Sequence, residues 1–453
     1  MNKNVRVLID FGSTYTKVVA IDMEKEEIVS QTRVPSTVDT DITIGLKEAL
    51  AEITRQAGIS DVAEKKALAC SSAGGGLRMV CVGFVPEYTG EAGSLAALGA
   101  GAKVVGRFSY ELDDKEIEEI DRLAPDILLL TGGTDGGNTK VLIHNAGKLS
   151  TSKVTNILVA GNKAAYGEIR KMFDSRKNVI YTRNVMPEIG KLDLVQCNHE
   201  IRELFMKYIV QAKGIAKARE IIGDIIMPTP AAVLEAAKII SSGYGDSPGF
   251  GELVVVDTGG ATTNVHSIAH GNPQRADIVT IGLPEPYEKR TVEGDLGLKY
   301  NLETLVELSQ GKENNPHFAD IIKKFKAGKL PENEEELSYH KVLSCQAVET
   351  AVNRHAGKIE ETWGPAGRMY IQRGKDLTGI KCLIGTGGAL AFADNPAEIL
   401  RTALFNKNNP TSLKPKDPQL FIDKYYILYA IGLLSQSEPE KAVRLARKYL
   451  VKI

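Results

Sequence analysis

Near the N-terminus the apolar positions fall into short runs of strand length. VRVLID (5–10) and KVVAIDM (17–23) are joined by a turn, and IVSQTRV (28–34) follows the charged EKEE (24–27). This spacing predicts three strands in a meander. A helical pattern covers 46–56, and KKALACSS (65–72) predicts a buried strand entering the glycine triplet 74–76. The Ala- and Gly-rich stretch 95–105 predicts a packed helix. From about 107 to 225 helix and strand patterns alternate. KEIEEIDRL (115–123) predicts an amphipathic helix ended by Pro125, and DILLLTGG (126–133), NILVAG (156–161) and NVIYTRN (178–184) predict short strands. Alternation of this kind implies a parallel α/β insertion. A long helical pattern over 199–222 leads to MPTPAAVLEAAKII (227–240), and SSGYGDSPGFG (241–251) marks the main boundary. A new strand begins at Leu253. The polar linker 406–418 precedes two C-terminal helical segments, the last opening on Ser437-x-x-Glu440 with Pro439, a capping-box signature.

Comparing the chain with itself shows a repeated hairpin. VRVLIDFGSTYTKVV (5–19) and LVVVDTGGATTNVH (253–266) both read strand–D-x-G-x-x-x-T-x-V. Asp10 aligns with Asp257, Gly12 with Gly259, Thr16 with Thr263 and Val18 with Val265. A strand delivers the aspartate, and glycine permits a tight turn whose backbone N–H groups approach an anion. Hydroxyls at Ser13, Thr14, Thr262 and Thr263 add donors. Each aspartate would face a phosphate-bound Mg²⁺ through water, because magnesium dehydrates reluctantly. One D-x-G alone also makes an ordinary hairpin turn. Two matched copies in separate domains argue instead for a nucleotide clamped between duplicated lobes.

Glycine numbers 43 of 453 residues, and its clusters carry the remaining signal. KCLIGTGGALA (381–391) predicts a strand and a Gly-rich turn, where a flat adenosine can lie against Gly385, Gly387 and Gly388. Leu390 stands where a dinucleotide fingerprint needs its third glycine, so a Rossmann NAD site fits poorly, and no G-x-x-x-x-G-K-[ST] occurs, which excludes an ordinary P-loop. TGGTDGG (131–137) reads equally as a ligand loop and as a structural turn. Charge narrows the partners: 56 basic against 57 acidic residues leave a net charge of −1, without the excess expected of a nucleic-acid protein. No apolar run reaches the length of a membrane span and no signal peptide is visible. Five scattered cysteines without a C-x-x-C pair suit a reducing compartment. The expectation is a cytoplasmic protein.

The paired hairpins and the third glycine turn resemble the phosphate-1, phosphate-2 and adenosine motifs of the actin-like ATPases, the superfamily of sugar kinases, actin and the heat-shock chaperones. More closely, DFGSTYTK (10–17), SSAGGGLRM (71–79), TGGTDGG (131–137), NVMPEIGKLD (184–193), DTGGATTNVHS (257–267) and RTVEGDLG (290–297) resemble the glutamate mutase accessory family, labelled MutL or GlmL and distinct from the mismatch-repair protein. The resemblance is essentially full length.

It implies an α/β fold of two ribonuclease H-like lobes around a nucleotide cleft. The first lobe would span 1–245 with an α/β insertion at about 107–225, and the second 250–400, with C-terminal helices at 419–453 packing back on the first lobe. The helix after Pro230 and the one containing AVETAVNRHAGK (347–358) resemble the two connecting helices, with Ala231, Ala232, Ala351 and Gly357 allowing a close crossing. ATP and Mg²⁺ are the implied ligands. Asp10 and Asp257 would be the catalytic and metal-supporting pair, and Gly12, Ser13, Thr14, Tyr15, Thr16, Lys17, Gly259, Gly260, Ala261, Thr262 and Thr263 the phosphate contacts. The implied partner is an adenosylcobalamin-dependent mutase, reactivated by this chain; a homodimer stays open.

Two departures bear on turnover. Met227 stands where the chaperones carry an acid, and Asn264 where they carry an aspartate. The catalytic base is therefore unassigned and slow turnover is expected. A small-molecule kinase on the same fold, or an assembly protein that binds nucleotide without hydrolysis, are the alternatives.

Overall fold

The computed structural model describes the chain except residues 1–3, 13, 38–39, 59–66, 73–76, 210–214, 224, 310–315 and 365–366. The chain forms two compact units, one of residues 1–73, 212–280 and 287–453, the other of 74–211 and 281–286.

The larger unit contains two sheets built on one plan. In the first, Val5–Phe11 pairs antiparallel with Tyr15–Asp22, which pairs with Glu27–Pro35; on its other side Val5–Phe11 runs parallel to Leu68–Ser71, followed by Ile225–Pro228. In the second, Leu253–Thr258 pairs antiparallel with Thr263–Ile268 and then Glu288–Glu293, and runs parallel to Cys382–Thr386, followed by Gln419–Ile422. A short strand, Val451–Lys452, closes that edge. The predicted meander is present twice. Both central strands are buried on both faces, which is why they read as unbroken apolar runs rather than alternating ones.

One core cluster joins the two sheets. Leu8, Val19 and Ile21 from the first meet Leu253, Val255 and Ile268 from the second, around the helices Thr229–Ser242 and Leu428–Leu434. Pro230 opens the first of these helices, where its fixed φ suits the first turn. The two helices cross almost backbone to backbone: a Cβ on Gly432 would lie 1.8 Å from the Ala232 carbonyl oxygen. The expected close crossing is present with a different partner. Helix Glu334–His355, which holds Ala351, instead lays Leu343, Ala347, Val348 and Ala351 against Val254, Val256 and Val265 of the second sheet.

The smaller unit is a five-stranded parallel sheet in the order Lys103–Phe108, Arg78–Val82, Ile127–Leu130, Asn156–Val159, Asn178–Tyr181, a doubly wound arrangement. Its first strand, Arg78–Val82, starts well before residue 107, the expected beginning of the insertion. The 95–105 stretch is a helix only in part: Glu91–Gly99 is helical, and Lys103–Phe108 is strand. Helix Asp114–Leu123 is as predicted, with a capping box between Asp113 and Glu116. The long pattern at 199–222 is helical over Val195–Ile209 and Ile215–Ile222, with 210–214 outside the described residues. At the C-terminus the capping box on Ser437 does not form; Glu438 is the N-cap of Pro439–Tyr449. Residues 419–422, expected as part of a helical segment, are a strand of the second sheet. Among the described residues no helix is long and apolar enough to cross a membrane.

Candidate nucleotide site

The duplicated hairpins close with the same hydrogen bond. Gly12 N–H donates to the Tyr15 carbonyl at 3.0 Å, and Gly259 N–H donates to the Thr262 carbonyl at 3.0 Å. Gly12 is required sterically, since a Cβ there would lie 2.6 Å from Tyr15 O. The turns face each other across the larger unit: a Cβ on Gly260 would lie 3.0 Å from Thr14 Oγ1. The Thr16 hydroxyl has no hydrogen-bond partner among the described residues but lies by Gly45 of helix Ile42–Ala57, away from the turns; those of Thr14 and Thr258 are buried and likewise without a partner. Buried orphan hydroxyls are costly unless something bonds them. The place of Thr14 and Thr258 beside two glycine turns fits a ligand with anionic oxygens.

Asp10 is fully buried and its carboxylate is already engaged. Oδ2 accepts from Lys17 Nζ at 2.6 Å and Oδ1 accepts from Thr229 Oγ1 at 2.6 Å. Lys17, directly opposite Asp10 in the strand register, also lies over the Tyr426 ring at 3.9 Å from its centroid. Burial opposes its charge, but the Asp10 carboxylate and Tyr426 outweigh it and hold the ammonium well above the ordinary lysine pKa. Asp257 is different. Burial pushes it up to about 6; Asp10 and Asp423 add to the rise, while Lys17 and Arg290 oppose it. Among the described residues no donor is bonded to its carboxylate, so it alone of the pair is free to support a cation.

Three further residues complete the site. Thr229 comes from the start of the first crossing helix. Asp423 is buried at the end of strand Gln419–Ile422, where it accepts from Thr386 Oγ1 (2.9 Å), Ile427 N–H and Leu428 N–H. Arg290 donates to Asn264 Oδ1 at 3.1 Å, and burial lowers its pKa to about 9 against the opposing pull of Asp257. Asp423 carries the signal that marked Asp10, an apolar strand ending in aspartate, and sequence reading missed it because no glycine turn follows. Tyr426 has φ +53°, an uncommon setting for a non-glycine residue, and no local pattern foretells it.

Not all the expected contacts face the gap. Thr263 Oγ1 donates to the Leu296 carbonyl, and Thr262 Oγ1 accepts from Asn264. The carbonyls of Gly260 and Ala261 are covered by 296–301: Lys299 N–H donates to Gly260 O and Asn301 to Ala261 O. Gly385 lies within strand Cys382–Thr386, where a side chain would strike Ile422 at 2.9 Å, so its smallness serves packing. Gly387 (φ +89°) lets the third turn press on Thr258, and a Cβ on Gly388 would meet open space. Tyr15 stands on the first return strand with Arg33 near its ring. Ser13 lies outside the described residues, as do 74–76. The 131–137 cluster follows strand Ile127–Leu130 of the smaller unit. There Asn184 and Asn162 bond its carbonyls, and a Cβ on Gly133 would lie 2.0 Å from Asn138 O.

Two sheets that share a five-strand order, each presenting an aspartate hairpin to the other, give the duplicated α/β arrangement that the resemblance to the actin-like ATPases and sugar kinases implied. Solved structures overlap it only loosely. An acetone carboxylase solved without nucleotide gives a TM-score of 0.42 at 13% identity, over 95% of this chain and 70% of its own. A gluconate kinase from Lactobacillus acidophilus gives 0.36 at 9% identity, over 99% and 93%. Sequence is far more specific. The profile of the MutL protein family matches residues 6–450, and Protein MutL of Clostridium tetanomorphum is 46% identical over 459 residues, 99% of both chains. The chain belongs to the MutL protein family, as its motifs implied.

Proposed function

We propose that this chain binds ATP with Mg²⁺ between its two aspartate hairpins and uses the nucleotide cycle to service an adenosylcobalamin-dependent mutase. The observation that carries the nucleotide part is the facing pair of identically closed turns, with the orphan Thr14 hydroxyl between them and Asp257 open to a cation. The mutase part rests on the family's character.

The donor set bears on the metal. Among the described residues no three His, Cys, Asp or Glu side chains converge to chelate a bare ion. A hydrated Mg²⁺ carried by the nucleotide needs fewer protein ligands, and one carboxylate through water suits it. Asp257 would hold it, and when bound the ion would neutralise phosphate charge. Asp10 would act chiefly by fixing Lys17 and Thr229. The turn N–H groups and the Thr14 hydroxyl would bind phosphate oxygens, and Asp257, ionised at neutral pH, would orient the attacking water.

The test is to incubate the protein with ATP and Mg²⁺, alone and with a corrinoid mutase poisoned by cyanocobalamin, then to add fresh adenosylcobalamin. Phosphate release stimulated by the mutase, with recovery of mutase activity, is the expected result. Consumption of ATP only when a small metabolite is added would make the protein a kinase. Binding without turnover would leave an assembly role.

A further inference from the structure

A second polar site lies in the larger unit, away from the hairpin turns. The end of helix Glu334–His355 and the hairpin Lys358–Gly364 with Gly367–Arg373 wall a cleft of about 530 Å³, a volume in the range of small-ligand sites. Its lining includes Lys289, Arg354, Lys358 and Arg373, set against a single carboxylate, Glu360.

The placement of these charges is unfavourable without a ligand. Lys358 and Arg373 are directly opposite in the antiparallel register, where like charges destabilise a strand pair. Glu360 reaches Arg373 only at 4.0 Å, and among the described residues Lys358 has no ion-pair partner. Arg354 is already held by Glu293 and Asp295, and Lys289 bonds the His355 carbonyl at the helix end. Those two are fixed in place, while Lys358 and Arg373 stay opposed in the strand register with the 4.0 Å Glu360 contact to Arg373 as their ion pairing among the described residues. Asn353, whose Oδ1 accepts from Ser412, also lines the cleft.

We propose that this cleft binds a small, multiply charged anion of the polycarboxylate or phosphate-ester class, whose oxygens lie between Lys358 and Arg373. Lys289 sits beside Arg290 on strand Glu288–Glu293, and Arg290 reaches toward Asp257, so an anion here adjoins an element of the nucleotide site. The proposal does not depend on what the nucleotide site does.

Citrate and phosphoenolpyruvate are the probes, titrated calorimetrically into the full chain and into the Lys358→Gln/Arg373→Gln variant. One or both should bind the parent, with affinity falling as salt is raised, and should weaken about tenfold or more in the variant. The probe that binds identifies the class. Without any anion the variant should melt at a higher temperature than the parent, because the opposed charges are gone. Citrate or phosphoenolpyruvate should raise the parent's melting temperature and leave the variant's unchanged. If the double variant does not fold, Lys358→Gln alone gives the same comparison. Equal binding by parent and variant, or no binding of either probe to the parent, overturns the proposal. Binding of poly-glutamate with neither small anion would also overturn it, in favour of a protein-docking face.

Discussion

Replacing Lys17 by methionine tests the electrostatic centre of the site. The parent pair is short, 2.6 Å, with side-chain exposures of 15% for Lys17 and 1% for Asp10. Removing one partner of a buried ion pair costs about 3–5 kcal/mol, because the other charge stays desolvated. Here the Thr229 hydroxyl still bonds Asp10, which places the expected loss at the lower end, about 3 kcal/mol at pH 8. Asp10→Asn added to Lys17→Met removes the stranded charge, and the double variant should recover most of the loss. Urea unfolding of all four proteins at pH 8 gives the cycle. A Lys17→Met protein within about 1 kcal/mol of the parent at pH 8, or losses that simply add in the double variant, would refute the pairing.

Three other outcomes follow from particular contacts. Gly432→Ala gains about 1 kcal/mol of helix propensity but forces a methyl to 1.8 Å from Ala232 O, so urea unfolding should show a net loss of about 3 kcal/mol. Asp257, with its pKa at about 6, should make the affinity for ATP–Mg²⁺ fall as pH drops below that value, and Asp257→Asn should bind weakly at every pH without the slope. His266 and His355 are buried, and their pKa values lie well below the ordinary one; the unfolded chain therefore binds more protons below about pH 6.5, and stability should fall with acidification. His355→Gln should flatten that fall in pH-dependent melts, and an unchanged slope would show that His355 does not contribute to it.

What the sequence revealed, and what it hid, divides along physical lines. The hairpins were legible because their constraints are local: a buried strand, an aspartate at its end, and a glycine that the Tyr15 carbonyl leaves no room to replace. The crossing helices were half legible. Ala231 and Ala232 announce a close approach, but their partner is set by tertiary packing, and Gly432 lies two hundred residues away. Residues 103–105 were read as the end of a helix because Ala and Gly precede them, and the pairing of Lys103–Phe108 with Arg78–Val82 decided otherwise. Thr229, Asp423 and Tyr426 enter the site from three separate elements, so no spacing links them. Gly385 shows the opposite error: a glycine beside a ligand-like turn is there for the Ile422 side chain.

The central claim is that nucleotide sits between the two turns, and Gly260→Val tests it most directly. Gly260 lies opposite Thr14, where a Cβ would already be 3.0 Å from its hydroxyl, so a valine there would crowd the approach between the turns, and the turn hydrogen bonds are made by Gly12 and Gly259 rather than by Gly260. Calorimetric titration of ATP–Mg²⁺ into parent and variant is the measurement. The account predicts binding to the parent and its loss in a Gly260→Val protein whose circular dichroism and melting match the parent. ATP bound equally well by both would place the nucleotide elsewhere and contradict the account.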